Sequence, residues 1–118
     1  MRIALLGYGK MGHEVEAVAH DRGHEIVATF DVAHLPTAQA LKQSAADVAI
    51  EFSEPRSVLA NLELCAEAGV PVVIGTTGWD AEFERALEIV ERSHIGCVTA
   101  SNFSIGVNLF LSLVRSAS

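Results

Sequence analysis

The chain has 118 residues, of which half are hydrophobic and 19% are charged, a composition typical of one compact globular domain and unlike that of a disordered chain. Fifteen acidic residues against eight Lys and Arg give a net charge of −7, so we expect neither nucleic acid nor an anionic membrane as a partner. The apolar runs are too short to span a bilayer and no signal peptide is visible, so we expect a cytoplasmic protein.

The first apolar run, residues 3–6, predicts a strand that leads into a glycine-rich turn and then a helix. The turn has the G-x-G-x-x-G spacing of dinucleotide-binding folds and reads Gly7-Tyr8-Gly9-Lys10-Met11-Gly12. In that interpretation Gly7 permits the tight turn, Gly9 lets a pyrophosphate approach the backbone, and Gly12 lets the helix pack closely on the sheet. The N–H groups at the start of the helix then bind the phosphates. The alternative is a glycine turn that joins strand to helix for steric reasons alone.

Residues 25–31 predict a second strand that ends in an acid, Asp31, 19 residues after Gly12. A carboxylate at this position accepts hydrogen bonds from the ribose hydroxyls of adenosine and repels a 2′-phosphate. No Arg follows Asp31 closely, although Lys10 in the turn softens the repulsion. We therefore expect NAD(H) to be preferred and NADP(H) to be possible.

The rest of the chain alternates between helical and strand patterns. A weak helix is expected over 35–44 and longer helices after Pro55 and around Phe83, with further strands at 47–52, 70–74 and 95–100. Strands that alternate with helices of this length imply right-handed βαβ units and a parallel sheet. We predict an α/β fold of the Rossmann type, a doubly wound parallel sheet of five strands in the order 3-2-1-4-5, with the cofactor where the order reverses.

Small, hydroxylated or aromatic residues follow the third, fourth and fifth predicted strands. They are Phe52-Ser53, Gly75-Thr76-Thr77 and Ala100-Ser101-Asn102-Phe103. Taken singly, each group is ordinary turn chemistry. Because the carboxyl ends of parallel strands meet at one edge of the sheet, beside the glycine turn, we predict that all of them bind the cofactor.

Other candidate residues carry weaker signals. Glu51 and Glu54 are expected to be solvated or to cap a helix, and no residue is assigned a catalytic role. The histidines are scattered, so no metal site is expected. Cys65 and Cys97 have no metal-ligand spacing and are interpreted as reduced core residues.

The sequences of four segments resemble those of the dihydrodipicolinate reductases, also called 4-hydroxy-tetrahydrodipicolinate reductases. The segments are G-x-G-K-M-G at 7–12, E-F-S-E-P at 51–55, V-I-G-T-T-G-W at 73–79 and A-S-N-F-S-I-G-V-N at 100–108. The resemblance implies that Gly7–Gly12 hold the pyrophosphate and that Asp31 holds the adenosine ribose. It also implies that Gly75–Thr77 and Ala100–Phe103 surround the nicotinamide, and that Thr77 touches the substrate. The implied reaction is hydride transfer to a cyclic imine dicarboxylate in the diaminopimelate and lysine pathway.

The same resemblance implies that a part of the enzyme is missing. Members of the family carry a second domain with an E-x-H-H-x-x-K-x-D-x-P-S-G-T signature, which supplies the proton donor, and no His-His pair occurs here. We interpret 1–104 as the dinucleotide-binding domain and 105–118 as the start of an interdomain helix that leads to the absent substrate domain. The helical segment is apolar around most of its circumference and needs burial on more than one side. We therefore expect the isolated chain to be inactive.

Three alternatives remain open at this point. The chain can be a natural one-domain protein that buries its last helix in a dimer. It can also be another Rossmann oxidoreductase, such as an amino-acid or homoserine dehydrogenase, or a non-enzymatic nucleotide-sensing module. Members of the resembled family form homotetramers largely through the second domain, so we expect a monomer or a weak dimer.

Overall fold

The structure is a computed structural model that describes residues 1–99. The predicted end of the fifth strand at residue 100, the site residues Ala100, Ser101, Asn102 and Phe103, and the predicted helix from residue 105 lie outside the described residues. Strands and helices alternate along the described chain. The strands are β1 (Arg2–Leu6), β2 (Glu25–Phe30), β3 (Val48–Glu51), β4 (Val72–Ile74) and β5 (Cys97–Thr99). The helices are α1 (Lys10–Asp21), α2 (Ala38–Gln43), α3 (Val58–Ala68) and α4 (Phe83–Ser93), and short 3-10 turns at Pro55–Ser57 and Asp80–Glu82 precede the last two.

The five strands form one parallel sheet, which confirms the predicted α/β fold with a doubly wound parallel sheet. The strand order is β2-β1-β3-β4-β5, so β3 lies between β1 and β4 and not at the edge where the order 3-2-1-4-5 placed it. The burial of the strands explains the difference. All four residues of β3 are buried, including Val48 and Ile50 on one face, whereas most of β2 is only half-buried. A strand buried on both faces belongs in the interior of a parallel sheet.

Helices cover both faces of this sheet. Val15 and Ala19 of α1 pack with Ile3, Leu5 and the other side chains of one face. The opposite face packs against α2, α3 and α4, through side chains that include Leu41, Leu62 and Ile89. This division follows from right-handed crossovers, because the connection from β1 to β2 runs in one direction along the sheet and the other three connections run in the opposite direction.

Candidate cofactor-binding site

A cleft of about 490 Å³ opens at the carboxyl ends of β1, β2 and β3. Its size is that of a small-molecule pocket. The direction of winding reverses between β1 and β3, which is the switch point where open α/β sheets bind ligands. The lining comes from the glycine turn, the loop after β2, the loop after β3 and the start of α3, namely Leu6–Gly9, Phe30–Ala33, Leu35, Pro36, Phe52–Glu54, Ser57 and Asn61.

The three glycines of the turn differ in what surrounds them. Gly7 has φ +106°, and a Cβ there would lie 1.9 Å from the Phe52 carbonyl oxygen, so only glycine fits. A Cβ on Gly12 would lie 2.6 Å from the Gly7 carbonyl oxygen, so the close approach at Gly12 is between the helix and the turn, whereas the sequence predicted one between the helix and the sheet. Around Gly9, a Cβ would meet no atom of residues 1–99 within 4 Å, its two chain neighbours aside. The fold therefore requires the first and third glycines, whereas the second borders open space.

The amino end of α1 begins beside this space, and its first N–H groups have no hydrogen-bond partner within residues 1–99. The helix begins at Lys10, and the capping residue Gly9 makes no side-chain hydrogen bond to it. Its first intrahelical bond runs from His13 N to the Gly9 oxygen at 3.0 Å, so the earlier N–H groups have no partner four residues back. These N–H groups and the positive end of the helix dipole favour an anion here. Lys10 itself is exposed, and Met11 is half-buried.

Tyr8 is held against the second turn of α1. Its hydroxyl donates to Oε1 of Glu16 at 2.5 Å, and its ring lies 3.9 Å from the His13 ring, centroid to centroid. The hydrogen bond to Glu16 raises the pKa of Tyr8, and so do partial desolvation and the carboxylate charge. The hydroxyl is thus already bonded to the protein, and the ring lines the cleft.

Asp31 is exposed at the end of β2, and the following loop orients its carboxylate. Oδ1 accepts from the backbone N–H groups of Ala33 and His34 at 2.9 and 2.8 Å. Both of these bonds go to the same oxygen, so Oδ2 retains its capacity to accept from a ligand. Sequence reasoning missed Val32 and Leu35, which are 90% and 70% exposed beside this carboxylate. Their apolar character in the loop after Asp31 could have indicated a contact with the adenine, because such side chains pack well against the face of a purine ring.

Phe52 joins the ends of three strands. Its N–H donates to the Leu6 oxygen at 2.9 Å, and its ring fills the space above Gly75, where a Cβ would lie 1.9 Å from the ring. Gly75 was predicted to admit a cofactor. In this structure the group that approaches its backbone is the Phe52 ring, and a direct contact of Gly75 with a ligand stays a prediction.

The two threonines after β4 have different environments. Thr76 is 7% exposed, its hydroxyl accepts from the N–H of Ser53 at 2.8 Å, and its carbonyl accepts from the indole N–H of Trp79 at 2.7 Å. Thr77 is exposed. Gly75, Thr76 and Thr77 are not among the residues that line the described cleft. Ser53, by contrast, lines the cleft and connects it to the loop that carries both threonines.

The expectation that Glu51 is solvated or caps a helix is wrong, because its side chain is 1% exposed. Ala49 and Glu51 alternate with Val48 and Ile50 along β3, so Glu51 points to the face that packs against α3. Its carboxylate accepts from Asn61 Nδ2 at 2.8 Å and from the hydroxyls of Ser53 and Thr76. Glu54 is exposed and pairs with Arg56 at 2.8 Å.

The remaining candidates lie away from the cleft. Cys65 is a buried free thiol whose pKa burial raises to about 12, and burial also raises the pKa of Cys97. Within residues 1–99, no three His, Cys, Asp or Glu side chains are grouped as metal ligands require. The helices of the same range are too short or too polar to cross a bilayer.

Comparison with known proteins decides the family. The model of the family described as dihydrodipicolinate reductase, N-terminus, matches residues 1–103. The chain belongs to this family. A 4-hydroxy-tetrahydrodipicolinate reductase from Christiangramia forsetii is 42% identical over 113 residues, which cover 96% of this chain and 46% of the relative. One from Methanosarcina barkeri is 31% identical over an alignment that covers 99% of this chain and 54% of the relative. The chain thus spans about half the length of these relatives.

Solved structures agree with the fold. A dipicolinate-bound dihydrodipicolinate reductase from Paenisporosarcina sp. TG-14 superimposes with a TM-score of 0.71 at 28% identity, over 99% of this chain and 53% of that one. A designed Rossmann 2x3 protein superimposes with a TM-score of 0.64 at 15% identity, which shows the fold alone. The family assignment favours the reductase over the amino-acid and homoserine dehydrogenase alternatives.

Proposed function

We propose that this chain is the cofactor-binding part of a dihydrodipicolinate reductase, and that it holds NAD(P)H for hydride transfer to a cyclic imine dicarboxylate. The observation that carries the proposal is the open space over Gly9, bordered by the uncapped start of α1 and by the Asp31 carboxylate at the switch point of the sheet. In Rossmann folds the pyrophosphate lies at the start of this helix, and an acidic residue after the second strand binds the adenosine ribose. The cofactor supplies the hydride, and the protein binds it, orients it and excludes water.

The carboxylate and loop after β2 support a preference for NAD(H) over NADP(H). The N–H groups of Ala33 and His34 fix Oδ1 of Asp31, which leaves Oδ2 for the ribose hydroxyls. A 2′-phosphate would meet this negative charge, and residues 32–36 contain no Lys or Arg to neutralise it. Asn at this position keeps the oxygen that the backbone groups use and removes the charge. Asp31→Asn should therefore lower the ratio of the NADPH to the NADH dissociation constant by about tenfold.

Ser53, Thr77 and Ala100–Phe103 complete the proposed site at the nicotinamide end, and Thr77 contacts the substrate. No described residue is assigned as the proton donor, which we place in a second domain, as the resemblance implies. The 118-residue chain should consequently reduce no dihydrodipicolinate-type substrate when supplied with NADH. Turnover above the uncatalysed rate, abolished by Gly9→Val, would contradict this placement of the donor.

Binding of the cofactor is the direct test of the proposal. Trp79 is the only tryptophan of the chain, and its emission overlaps the absorption of reduced nicotinamide, so bound NADH should quench it. Quenching should saturate and should be reversed by NAD, while circular dichroism verifies that the protein is folded. A folded chain that bound neither NADH nor ADP-ribose would refute the proposed function.

A further inference from the structure

A buried carboxylate that has no ionic partner within residues 1–99 lies directly beneath the two loops that flank the proposed nicotinamide end. Glu51 ends β3 and is paired in register with Leu6 of β1 and Ile74 of β4, so it occupies the centre of the sheet edge. Its side chain is 1% exposed, and the described ion pairs leave it out. Burial of a carboxylate costs more free energy than burial of an apolar side chain, unless neighbouring groups satisfy its oxygens.

The contacts of the carboxylate satisfy its oxygens. Oε2 accepts from Asn61 Nδ2 at 2.8 Å and from the Ser53 hydroxyl, and Oε1 accepts from the Thr76 hydroxyl. The three donors come from three elements, namely α3, the loop after β3 and the loop after β4. Glu51 therefore connects two loops that are otherwise separate parts of the chain.

A second bond closes the connection. The Thr76 oxygen accepts from the Ser53 N–H at 2.8 Å while its own proton goes to Glu51. The direction of each bond is thereby set: the backbone of one loop donates to the hydroxyl of the other, and that hydroxyl donates to the carboxylate. Since hydrogen bonds to a carboxylate are the stronger kind, this arrangement holds both loops in one conformation.

We infer that Glu51 is a positioning residue, which acts through Ser53 and Thr76 to hold the loops after β3 and β4 in the arrangement that receives the nicotinamide ring. The inference rests on the proposed function. It assigns the Thr76 hydroxyl to the protein and not to the ligand, because that hydroxyl already uses its proton and accepts a backbone N–H. In this inference the carboxylate is buried because it orders the cofactor site, and not because it stabilises the core.

Glu51→Gln tests the role of the carboxylate with nearly unchanged volume. Three donors surround the side chain, so the new amide group must face at least one of them, and the Thr76 proton or the Asn61 amide loses its acceptor. The loop contact weakens, while the glycine turn and Asp31 keep their places. ADP-ribose fills the adenosine and pyrophosphate portions without the ring, so its affinity separates the two halves of the site.

We expect Glu51→Gln to bind NADH roughly tenfold more weakly, the equivalent of about one hydrogen bond, and to bind ADP-ribose within about a factor of two of the unaltered chain. Glu51→Asp keeps the carboxylate and should recover part of the NADH affinity. Ile89→Val in α4 is the control for stability, since it removes one buried methyl from a helix that supplies none of the donors to Glu51. It should leave the affinities for both ligands unchanged at a comparable loss of stability.

Equal weakening of both ligands, or an unchanged NADH affinity in folded Glu51→Gln, would overturn the inference while leaving the proposed function intact. Failure of the unaltered chain to bind either ligand would instead remove the proposed function. If Glu51→Gln does not fold, Asn61→Ala carries the test, because it removes one donor and keeps the carboxylate with both hydroxyls. A smaller loss confined to NADH then supports the inference, and an unchanged ratio of the two affinities overturns it.

Discussion

The glycine turn permits a test in which one added methyl group affects binding and another affects folding. At Gly9 the new Cβ would enter the open space of the cleft, with no atom of the described chain beyond the flanking residues within 4 Å. Gly9 has φ −92°, so it does not occupy the left-handed region that favours glycine. Gly9→Ala should therefore leave the free energy of unfolding unchanged or raise it by about 0.5 kcal/mol, through the lower entropy of the unfolded chain.

Binding should respond in the opposite way. The methyl group occupies the space that we assign to the pyrophosphate, so the phosphate oxygens move away from the N–H groups at the start of α1. Loss of about one charged hydrogen bond, roughly 1.5–3 kcal/mol, weakens NADH binding by about ten- to a hundredfold. Fluorescence titration of Trp79 measures the affinity, and urea denaturation measures the stability.

Gly12→Ala is the matched comparison. Its Cβ would lie 2.6 Å from the Gly7 carbonyl oxygen, and both groups are backbone and cannot move aside independently. Overpacking of this kind costs about 1–3 kcal/mol, which exceeds the gain of about 1 kcal/mol from replacing a helical glycine. Gly12→Ala should thus lower stability where Gly9→Ala does not. NADH affinity equal to that of the unaltered chain in folded Gly9→Ala would refute the placement of the pyrophosphate.

Three further predictions concern charge, pH and the core. Lys10→Gln should not lower the melting temperature, because a cation at a helix start opposes the dipole, yet it should weaken NADH binding about threefold and reduce its salt dependence. Burial raises the pKa of Cys65 from 9.0 to about 12, so the unfolded chain loses this proton first and stability falls as pH rises between those values. Cys65→Ala should flatten that fall by up to about 1.4 kcal/mol per pH unit in urea titrations. Leu62→Ala, at 1% exposure in α3, should cost about 2–5 kcal/mol of unfolding free energy.

The pattern of the sequence was sufficient to predict the elements and the kind of fold. Apolar runs of four to six residues, separated by stretches of helical periodicity, leave few arrangements other than a parallel sheet with covered faces. The order of the strands was not accessible in the same way. It depends on which side of β1 the chain returns to after β2, and the signal was the burial of β3, where Val48, Ala49 and Ile50 need neighbours on both sides.

The candidate site was partly predictable for a related reason. A residue whose role depends on the local backbone, such as Gly7, is placed by spacing alone, and the structure gives Gly7 the predicted tight turn. Gly12 also permits a close approach, but to the turn and not to the sheet. The sequence indicated that some group approaches the backbone of Gly75 closely, but the identity of that group depends on the neighbouring strand β3. That group is the ring of Phe52, which lies 23 residues earlier in the chain.

Glu51 shows why neighbouring sequence is a poor guide to a buried charge. The segment that contains Glu51, Ser53, Glu54 and Pro55 has the composition of a solvated loop. The hydrogen-bond donors Asn61 and Thr76 lie 10 and 25 residues from Glu51 in the chain. Alternation along β3 was the one local signal, since a residue two places after a core alanine points to the same face. A carboxylate on that face is either neutralised or bonded by neutral donors, and the chain brings three such donors to it. Two of these donors, the hydroxyls of Ser53 and Thr76, belong to the loops after β3 and β4, so the buried Glu51 carboxylate connects the two loops. The shape of the ligand cleft therefore depends on the core beneath it.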